Sequence, residues 1–556
     1  MEEAPGAGSA SLNQLGGHMP TVRDVTFNLL RRLGLTTVVG NPGSTEETFL
    51  CNFPSDFTYV LALQESCVVG IADGLSQGLK APVLVNVHTS AGMGNAMGCV
   101  ITASINKTPL IVTAGQQTRQ MLLNEPFLTN VEAESMPRSW VKWSYEPRRA
   151  QDIPGAFMRA YATAVQQPAG PVFLSLPLDD WDQEMDEADV FRTTSTRTAP
   201  DPARVAEFAA RIDRSRNPVL VYGADVARSN AWDEGIAFAE HLEAPVWLAP
   251  FSERVPFPED HELFAGILPA AIGPLSEALR GHDLVVVVGA PVFRYYPWVP
   301  GEYLPEGATL LQVSDDPRET ARAVAGDSLT SDSGLALETL RRAVAKRRGA
   351  ARAAKRKAPA SLPPDGFSPL TAGQLFAVLS QHLSGDCVIV NESPSNMREL
   401  GLSRMGTITR PDSYYMMGSG GLGWGMPAAV GLAIAEKATG RNRPVIAIVG
   451  DGSFQYSPQA IWTAVQRDLH VIFVVLRNGQ YAILKSFALL EDTPGVPGLD
   501  LPGLDIVSLG KGYGAASCRA ETVEDIRSCF ARALTAKQVS LLEVPIDNTV
   551  HTLLGD

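Results

Sequence analysis

Positive charge is scarce in this chain of 556 residues: 46 Lys and Arg face 60 Asp and Glu, for a formal net charge of -14. That balance excludes general attraction to nucleic acid or an anionic lipid surface. Cysteine is scarce too. The six, Cys51, Cys67, Cys99, Cys387, Cys518 and Cys529, lie far apart and form no CxxC pair, so buried reduced thiols are expected in place of a disulfide framework. No run of about 18 apolar residues occurs, which excludes an ordinary membrane-spanning helix. The opening MEEAPGAGSASLNQLGG is acidic and small where an export signal is basic and then hydrophobic. A cytoplasmic protein with a flexible leader at 1–18 is expected.

What is present in quantity is short β-branched runs alternating with segments of helical spacing, the pattern of parallel α/β domains. The length exceeds one core, since domains hold on the order of 100 to 200 residues. Strands are expected at TTVVG, TYVLAL, APVLVNVH, PLIVTAG and PVFLSLP, then at NPVLVYGA, APVWLAP, DLVVVVGAP and TLLQVSDD, and last at CVIVNE, PVIAIVGDG, HVIFVVLRNG and VSLLEVPID. The acidic joint DQEMDEAD closes a first domain at 19–185. A middle domain follows at 195–345, then a linker at 346–367 and a last domain at 368–556. Around that linker, RRAVAKRRGAARAAKRKAPASLPPD is basic but has no interleaved aromatics, so a solvated helix end and tether outweighs a nucleic-acid patch.

In RPVIAIVGDGSFQYS, Arg443 to Ser457, an apolar strand runs into Gly450, Asp451 and Gly452. Ligands of parallel sheets bind beyond the carboxyl ends of strands, so this turn is placed for function. The glycines let backbone approach a bulky anion, and Asp451 offers oxygen to a hard cation. Alone, the tripeptide reads more readily as a cap or turn. The next strand, HVIFVVLRNGQ, presents Asn478 at 478 − 451 = 27 residues downstream, room for the helix and returning strand of a right-handed βαβ unit. Asp451, Asn478 and the Gln480 carbonyl then supply three oxygen ligands for Mg²⁺, with phosphate and water completing the shell.

This arrangement resembles the diphosphate-and-magnesium motif of thiamine diphosphate enzymes. VVGNPGSTE (Val38 to Glu46), LALQES, NVHTSAGMGNAMG (Asn86 to Gly98), PLIVTAGQQTRQM, VKWSYEP, GAPVFRYYPWVPGEYL, SYYMMGSGGLGWGMPAA and VPGLDLPGLD extend the resemblance over nearly the whole chain. Together they are similar to the benzoylformate decarboxylase branch of the thiamine diphosphate-dependent 2-oxo acid decarboxylases.

The resemblance implies three parallel-sheet α/β domains, the first binding the pyrimidine and the last the diphosphate with Mg²⁺. It implies non-oxidative decarboxylation of a benzoylformate-like 2-oxo acid to an aldehyde, by a homodimer or homotetramer whose sites draw on two chains. Glu65 would share a proton with the pyrimidine. Leu422 would be the apolar wedge between the two cofactor rings. Ser395, Gly420, Gly450, Gly452, Ser453, Tyr456, Tyr481, Ala482 and Ile483 would line the cofactor site. Ser44, elsewhere a helix-capping residue type, would meet the substrate carboxylate or adduct hydroxyl, and His88 would relay protons. Met416, Ile483 and Phe487 would wall the substrate side chain.

Four departures stand out against that pattern. Arg477 replaces the first of two asparagines, Pro394 replaces a hydroxyl residue before Ser395, and Ile483 is bulkier than usual, which favours smaller 2-oxo acids. Tyr296 stands where the branch has a second catalytic histidine. A phenol donates a hydrogen bond but shuttles protons poorly at neutral pH, so a slower protonation step and more carboligation are expected. Two alternatives stay open. One is an acetohydroxyacid-synthase-like or benzaldehyde-lyase-like ligase or lyase, although VLVYGADVARSNA has no GxGxxG to support a flavin. The other is a cofactor-binding paralogue without catalysis.

Overall fold

The computed structural model describes residues 19–347 and 368–553, apart from 384 and 404. The leader at 1–18 and all but two residues of the linker at 346–367 fall outside them.

Three six-stranded sheets follow one another along the chain, and every strand pairing within them is parallel. The first comprises β1 (Thr37–Gly40), β2 (Thr58–Leu61), β3 (Val83–Val87), β4 (Leu110–Gln116), β5 (Ser144–Tyr145) and β6 (Val172–Pro177), in the order β2-β1-β3-β4-β6-β5. The second has β7 (Pro218–Tyr222), β8 (Val246–Leu248), β9 (Phe264–Ile267), β10 (Leu284–Val288), β11 (Thr309–Ser314) and β12 (Asp327–Thr330), in the order β12-β11-β10-β7-β8-β9. The third has β13 (Val388–Glu392), β14 (Tyr414–Met416), β15 (Val445–Gly450), β16 (Val471–Arg477), β17 (Ala516–Arg519) and β18 (Ser540–Pro545), in the order β14-β13-β15-β16-β18-β17. Central strands such as LVVVV and VIAIV are buried throughout because helices cover both faces of a parallel sheet. Among the described residues no helix is long and apolar enough to cross a membrane.

The first and third sheets share a core built on two helices, Glu65–Leu79 and Gly425–Ala438. Their backbones touch: a Cβ on Gly74 would sit 2.1 Å from the Ala428 carbonyl oxygen, and one on Gly431 2.0 Å from that of Ile71. Any side chain at either glycine would push the two domains apart. Beside this seam the buried Asp73 carboxylate accepts from Trp424 Nε1 at 2.6 Å, Gln77 Nε2 at 2.8 Å, Asn106 Nδ2 at 3.0 Å and Thr108 Oγ1 at 2.5 Å. Two domains are therefore latched through one side chain.

Candidate active site

The third sheet ends where the motif residues begin. β15 and β16 pair in register from Val445↔Val471 to Gly450↔Leu476, which sets Asp451 beside Asn478. Asp451 is buried, with Oδ1 accepting from Gly452 N at 2.8 Å and Oδ2 from Gly479 N at 2.7 Å. Burial pushes its carboxyl above the ordinary range, against the pull of those amides and of the Arg477 charge. Asn478 Oδ1 accepts from Gln480 N at 3.1 Å. The Gln480 amide is committed on both sides, accepting from Lys485 Nζ at 2.6 Å and donating to the Asn548 carbonyl at 2.8 Å. Its main-chain oxygen is what remains to offer.

Around these donors the chain leaves room. A cavity of about 50 Å³ adjoins Asn478 and is lined also by Ser395, Asn396, Glu399, Ala482 and His551. Gly450 faces open space, its nearest neighbour to an added Cβ being Ser453 Oγ at 3.9 Å, whereas a Cβ on Gly452 would strike the Tyr481 ring at 2.4 Å. Ser453 is buried, and Tyr456, more than half exposed, hydrogen-bonds Tyr481. A buried carboxylate, an amide oxygen and a carbonyl beside amide-rich turns fit an Mg²⁺-bound diphosphate. No cluster of three His, Cys, Asp or Glu side chains occurs among the described residues, so that mixed oxygen set is the candidate for a hard cation.

Leu422 is half-buried against the shared core, between Gly420 and Gly423, both in the left-handed region at φ +75° and +101°. Glu392 holds this loop from below. One of its oxygens accepts from Gly423 N at 2.6 Å and the other from Gly425 N, and burial lifts its carboxyl to about 7.

In the first domain Glu65 opens its helix and is buried, Oε1 accepting from Asn41 Nδ2 and Oε2 from Asn95 Nδ2, both at 3.1 Å. His88 precedes the Thr89–Ile105 helix, with Nδ1 2.8 Å from Glu46 Oε2 and 3.2 Å from Thr45 Oγ1. Glu46 is itself fixed by the amides of Gly43 at 2.9 Å and Gly115 at 2.7 Å. A carboxylate at Nδ1 makes that nitrogen the donor and leaves Nε2 as the acceptor. Gly43 is required here, since a Cβ would lie 2.1 Å from His88 Nδ1. Ser44 is exposed in the turn, and the N-cap of the following helix is Glu46, so Ser44 does not cap. Asn41, Glu46 and Asn95 escaped the motif reading, although all three lie inside quoted stretches. Their role is visible only as contacts across the fold.

Tyr296, 59% exposed on the loop after β10, leans on Phe487 of the Ala482–Leu490 helix with ring centroids 4.7 Å apart. Ile483 is one helical turn before Phe487 and shares its face. Met416 is buried at the end of β14, its amide donating to the Glu253 carbonyl at 3.0 Å. Arg477 turns away from Asn478 to Glu543, 3.2 Å off, and Arg519 holds the same carboxylate at 3.1 Å. Among the described residues no hydrogen bond joins Glu65, Ser44 or His88 to Asp451, Asn478 or Gln480.

The topological switch point of the middle sheet, between β7 and β10, is where a dinucleotide would bind. It is closed: a Cβ on Gly223 would lie 2.4 Å from the Gly289 carbonyl oxygen, and about 10 Å³ of cavity remains. Lys107 fills the approach, pairing with Asp225 at 2.6 Å, Asp315 at 3.1 Å and Glu319 at 3.3 Å.

Three family models match the chain: the N-terminal TPP binding domain of thiamine pyrophosphate enzymes at residues 20–136, the central domain at 205–340 and the C-terminal TPP binding domain at 399–544. A benzoylformate decarboxylase from Pseudomonas aeruginosa is 44% identical over 535 residues, 95% of this chain and 99% of the relative. The crystal structure of benzoylformate decarboxylase from Polynucleobacter necessarius superposes with a TM-score of 0.93 at 58% identity, covering 96% of this chain and all of that one. A thiamine diphosphate-dependent 4-hydroxybenzoylformate decarboxylase from Rhodococcus jostii RHA1 does so at 0.89 and 40% identity, covering 95% and 100%.

Proposed function

The chain belongs to the thiamine pyrophosphate enzymes, in their benzoylformate decarboxylase branch, and from that membership we propose that it decarboxylates an aryl or similarly sized 2-oxo acid to an aldehyde. It is a thiamine diphosphate-dependent 2-oxo acid decarboxylase. Bound thiamine diphosphate supplies the electron sink for the pair released as carbon dioxide departs. The observation that carries the reading is the buried Asp451 at the end of β15, one strand from Asn478, with open space at Gly450 beside it.

Asp451, Asn478 and the Gln480 carbonyl hold Mg²⁺, and the amides at the start of the Asp451–Phe454 turn, with Ser395 and Ser453, receive the diphosphate. Leu422 would meet the rings of a bound cofactor, while Glu392 keeps its loop in place. Glu65, aligned by Asn41 and Asn95, would exchange a proton with the pyrimidine once the cofactor is bound. His88 exchanges its proton at Nε2 with the substrate oxygen, its tautomer set by Glu46. Ser44 donates to the substrate carboxylate. Tyr296, Phe487, Ile483 and Met416 wall the substrate side chain, and an aromatic pair at that wall favours a planar ring. With Tyr296 in place of a histidine, carboligation of a second aldehyde accompanies decarboxylation.

Two copies complete each site in this reading. Support comes from the stretch after β4, where Leu123 and Phe127 stand 93% and 89% exposed with Met121, Val131 and Trp140 also uncovered, beyond the strand ends that carry His88. Such an apolar patch marks an interface.

The test is carbon dioxide release from benzoylformate and aliphatic 2-oxo acids with added thiamine diphosphate and Mg²⁺. Wild type is expected to turn over benzoylformate, and Glu65→Gln to lose at least about 10²-fold. Equal release by both proteins, or none from any acid by cofactor-loaded wild type, would overturn the reading.

A further inference from the structure

The third domain carries a second site of reactive chemistry, apart from the strand ends that hold Asp451. Cys518 lies on β17, the edge strand of its sheet, and Cys529 on the Val523–Ala536 helix that packs over β18. Their thiols are in hydrogen-bonding contact. Arg532, one turn after Cys529, donates from Nη2 to the Cys529 sulfur at 3.2 Å. The pair opens onto a cavity of about 420 Å³ lined also by Lys511, Arg532 and Gln538, so a small anionic reagent has both room and two cationic side chains to meet. The other buried neighbours, Cys67 and Cys99, sit sealed in the core between the first and third domains with no cation beside them.

We propose that Cys518 and Cys529 form an oxidisable dithiol, with Cys529 the attacking sulfur, Cys518 the resolving one, and an anionic low-molecular-weight disulfide the oxidant. The Arg532 guanidinium, bonded to the Cys529 sulfur, draws an anionic disulfide to that sulfur first. Burial raises the Cys518 thiol to about 12, which keeps it protonated as the donor toward its neighbour. The Cys529 thiolate attacks one sulfur of the reagent RSSR and releases RS⁻. Cys518 then gives up its proton to solvent and attacks the Cys529 sulfur of the mixed disulfide, releasing the second RS⁻. One S–S bond is broken and one formed. The protein loses two electrons and two protons, and the reagent leaves as two thiols once both RS⁻ are protonated.

The experiment exposes the reduced holoenzyme to oxidised glutathione and maps its peptides without reduction. The expected product joins the Cys518 and Cys529 peptides, lighter by two hydrogens, with no glutathione retained. Cys518→Ser is expected to trap glutathione on Cys529, and Arg532→Met to slow formation of the link about tenfold by removing a cation that meets the anionic reagent. Persistent glutathione adducts without the link overturn the proposal. So does modification of the exposed Cys51 alone, or an Arg532→Met rate equal to wild type.

Discussion

Replacing Asp73 by asparagine changes no volume and removes one charge, yet the geometry makes it costly. Asp73 Oδ2 receives Trp424 Nε1 and Asn106 Nδ2, while Oδ1 receives Gln77 Nε2 and Thr108 Oγ1. An asparagine has one acceptor for these two pairs. It must keep that oxygen toward Trp424 and Asn106, because Asn106 is locked by its own Oδ1, which accepts from Gly418 N at 3.0 Å. The new amide hydrogens then face Thr108, whose hydroxyl can turn to accept, and Gln77, whose amide can flip only by giving up its bond from Arg254 Nε. Two charge-assisted bonds become neutral and one buried donor is frustrated, about 2 to 4 kcal/mol in total. Burial already raises the Asp73 carboxyl, which trims the gain from its charge and places the cost at the lower end. At roughly 2 to 4 °C per kcal/mol and a cost of about 2 kcal/mol, the apparent thermal midpoint should fall by roughly 4 to 8 °C. Because Trp424 lies two residues after Leu422, the proposed wedge, retention of thiamine diphosphate on gel filtration should weaken in parallel. An Asp73→Asn protein that melts within a degree of wild type would refute the account of this latch.

Glu392 makes stability depend on pH. Its folded carboxyl stands near 7, above its ordinary value of 4.5, so its contribution is fully present below 4.5 and is lost as pH rises through 7, a swing of about 3 kcal/mol. The cofactor-free protein should melt lower at pH 7.5 than at pH 5, and Glu392→Gln should flatten that slope; an unchanged slope assigns it elsewhere. Tyr296→His is expected to raise aldehyde release from benzoylformate over ligation product about tenfold, read by chromatography of both products, and an unchanged ratio removes the phenol from the proton path. Arg477→Met should cost about 1 to 2 kcal/mol, discounted because Arg477 is a third exposed and Arg519 keeps its hold on Glu543. The double change with Arg519→Met should exceed the sum in thermal midpoint, since it strands a carboxylate that is 0% exposed; simple additivity would mean that the two arginines do not share it.

Thirteen strands were legible from apolar runs, and the five that were not, β5, β9, β12, β14 and β17, all lie at sheet edges or, for β5, beyond β6 at the end of its row. An edge strand is covered on fewer sides and needs less apolar sequence: DSLT, ASCR and the dipeptide Ser144–Tyr145 give periodicity nothing to act on. The site divides in the same way. Asp451 and Asn478 could be proposed because oxygen ligands at adjacent strand ends suit a hard cation, and Glu65 and His88 only through the family resemblance. Asn41, Glu46, Asn95, Asp73 and Glu392 act by accepting or donating across tens to hundreds of residues, and a short motif does not reveal what packs against it.

The departures from the branch pattern do not bear equally on function. Arg477 enters beside a metal-ligand candidate, but its charge is answered inside its own sheet by Glu543, a fully buried carboxylate that would be stranded without arginines, so the substitution and its compensation form one structural unit. Tyr296 has no such answer within the sheet that carries it. Its main chain is held, with the amide donating to the Ala270 carbonyl at 2.7 Å, while its ring projects to the third domain and rests on Phe487. A residue whose backbone is fixed and whose side chain meets another domain at the proposed substrate wall is the position at which a change of acid or of product fate is to be tested first. Of the two, Arg477 is held by a buried carboxylate of its own sheet, and Tyr296 alone keeps its ring at the proposed substrate wall.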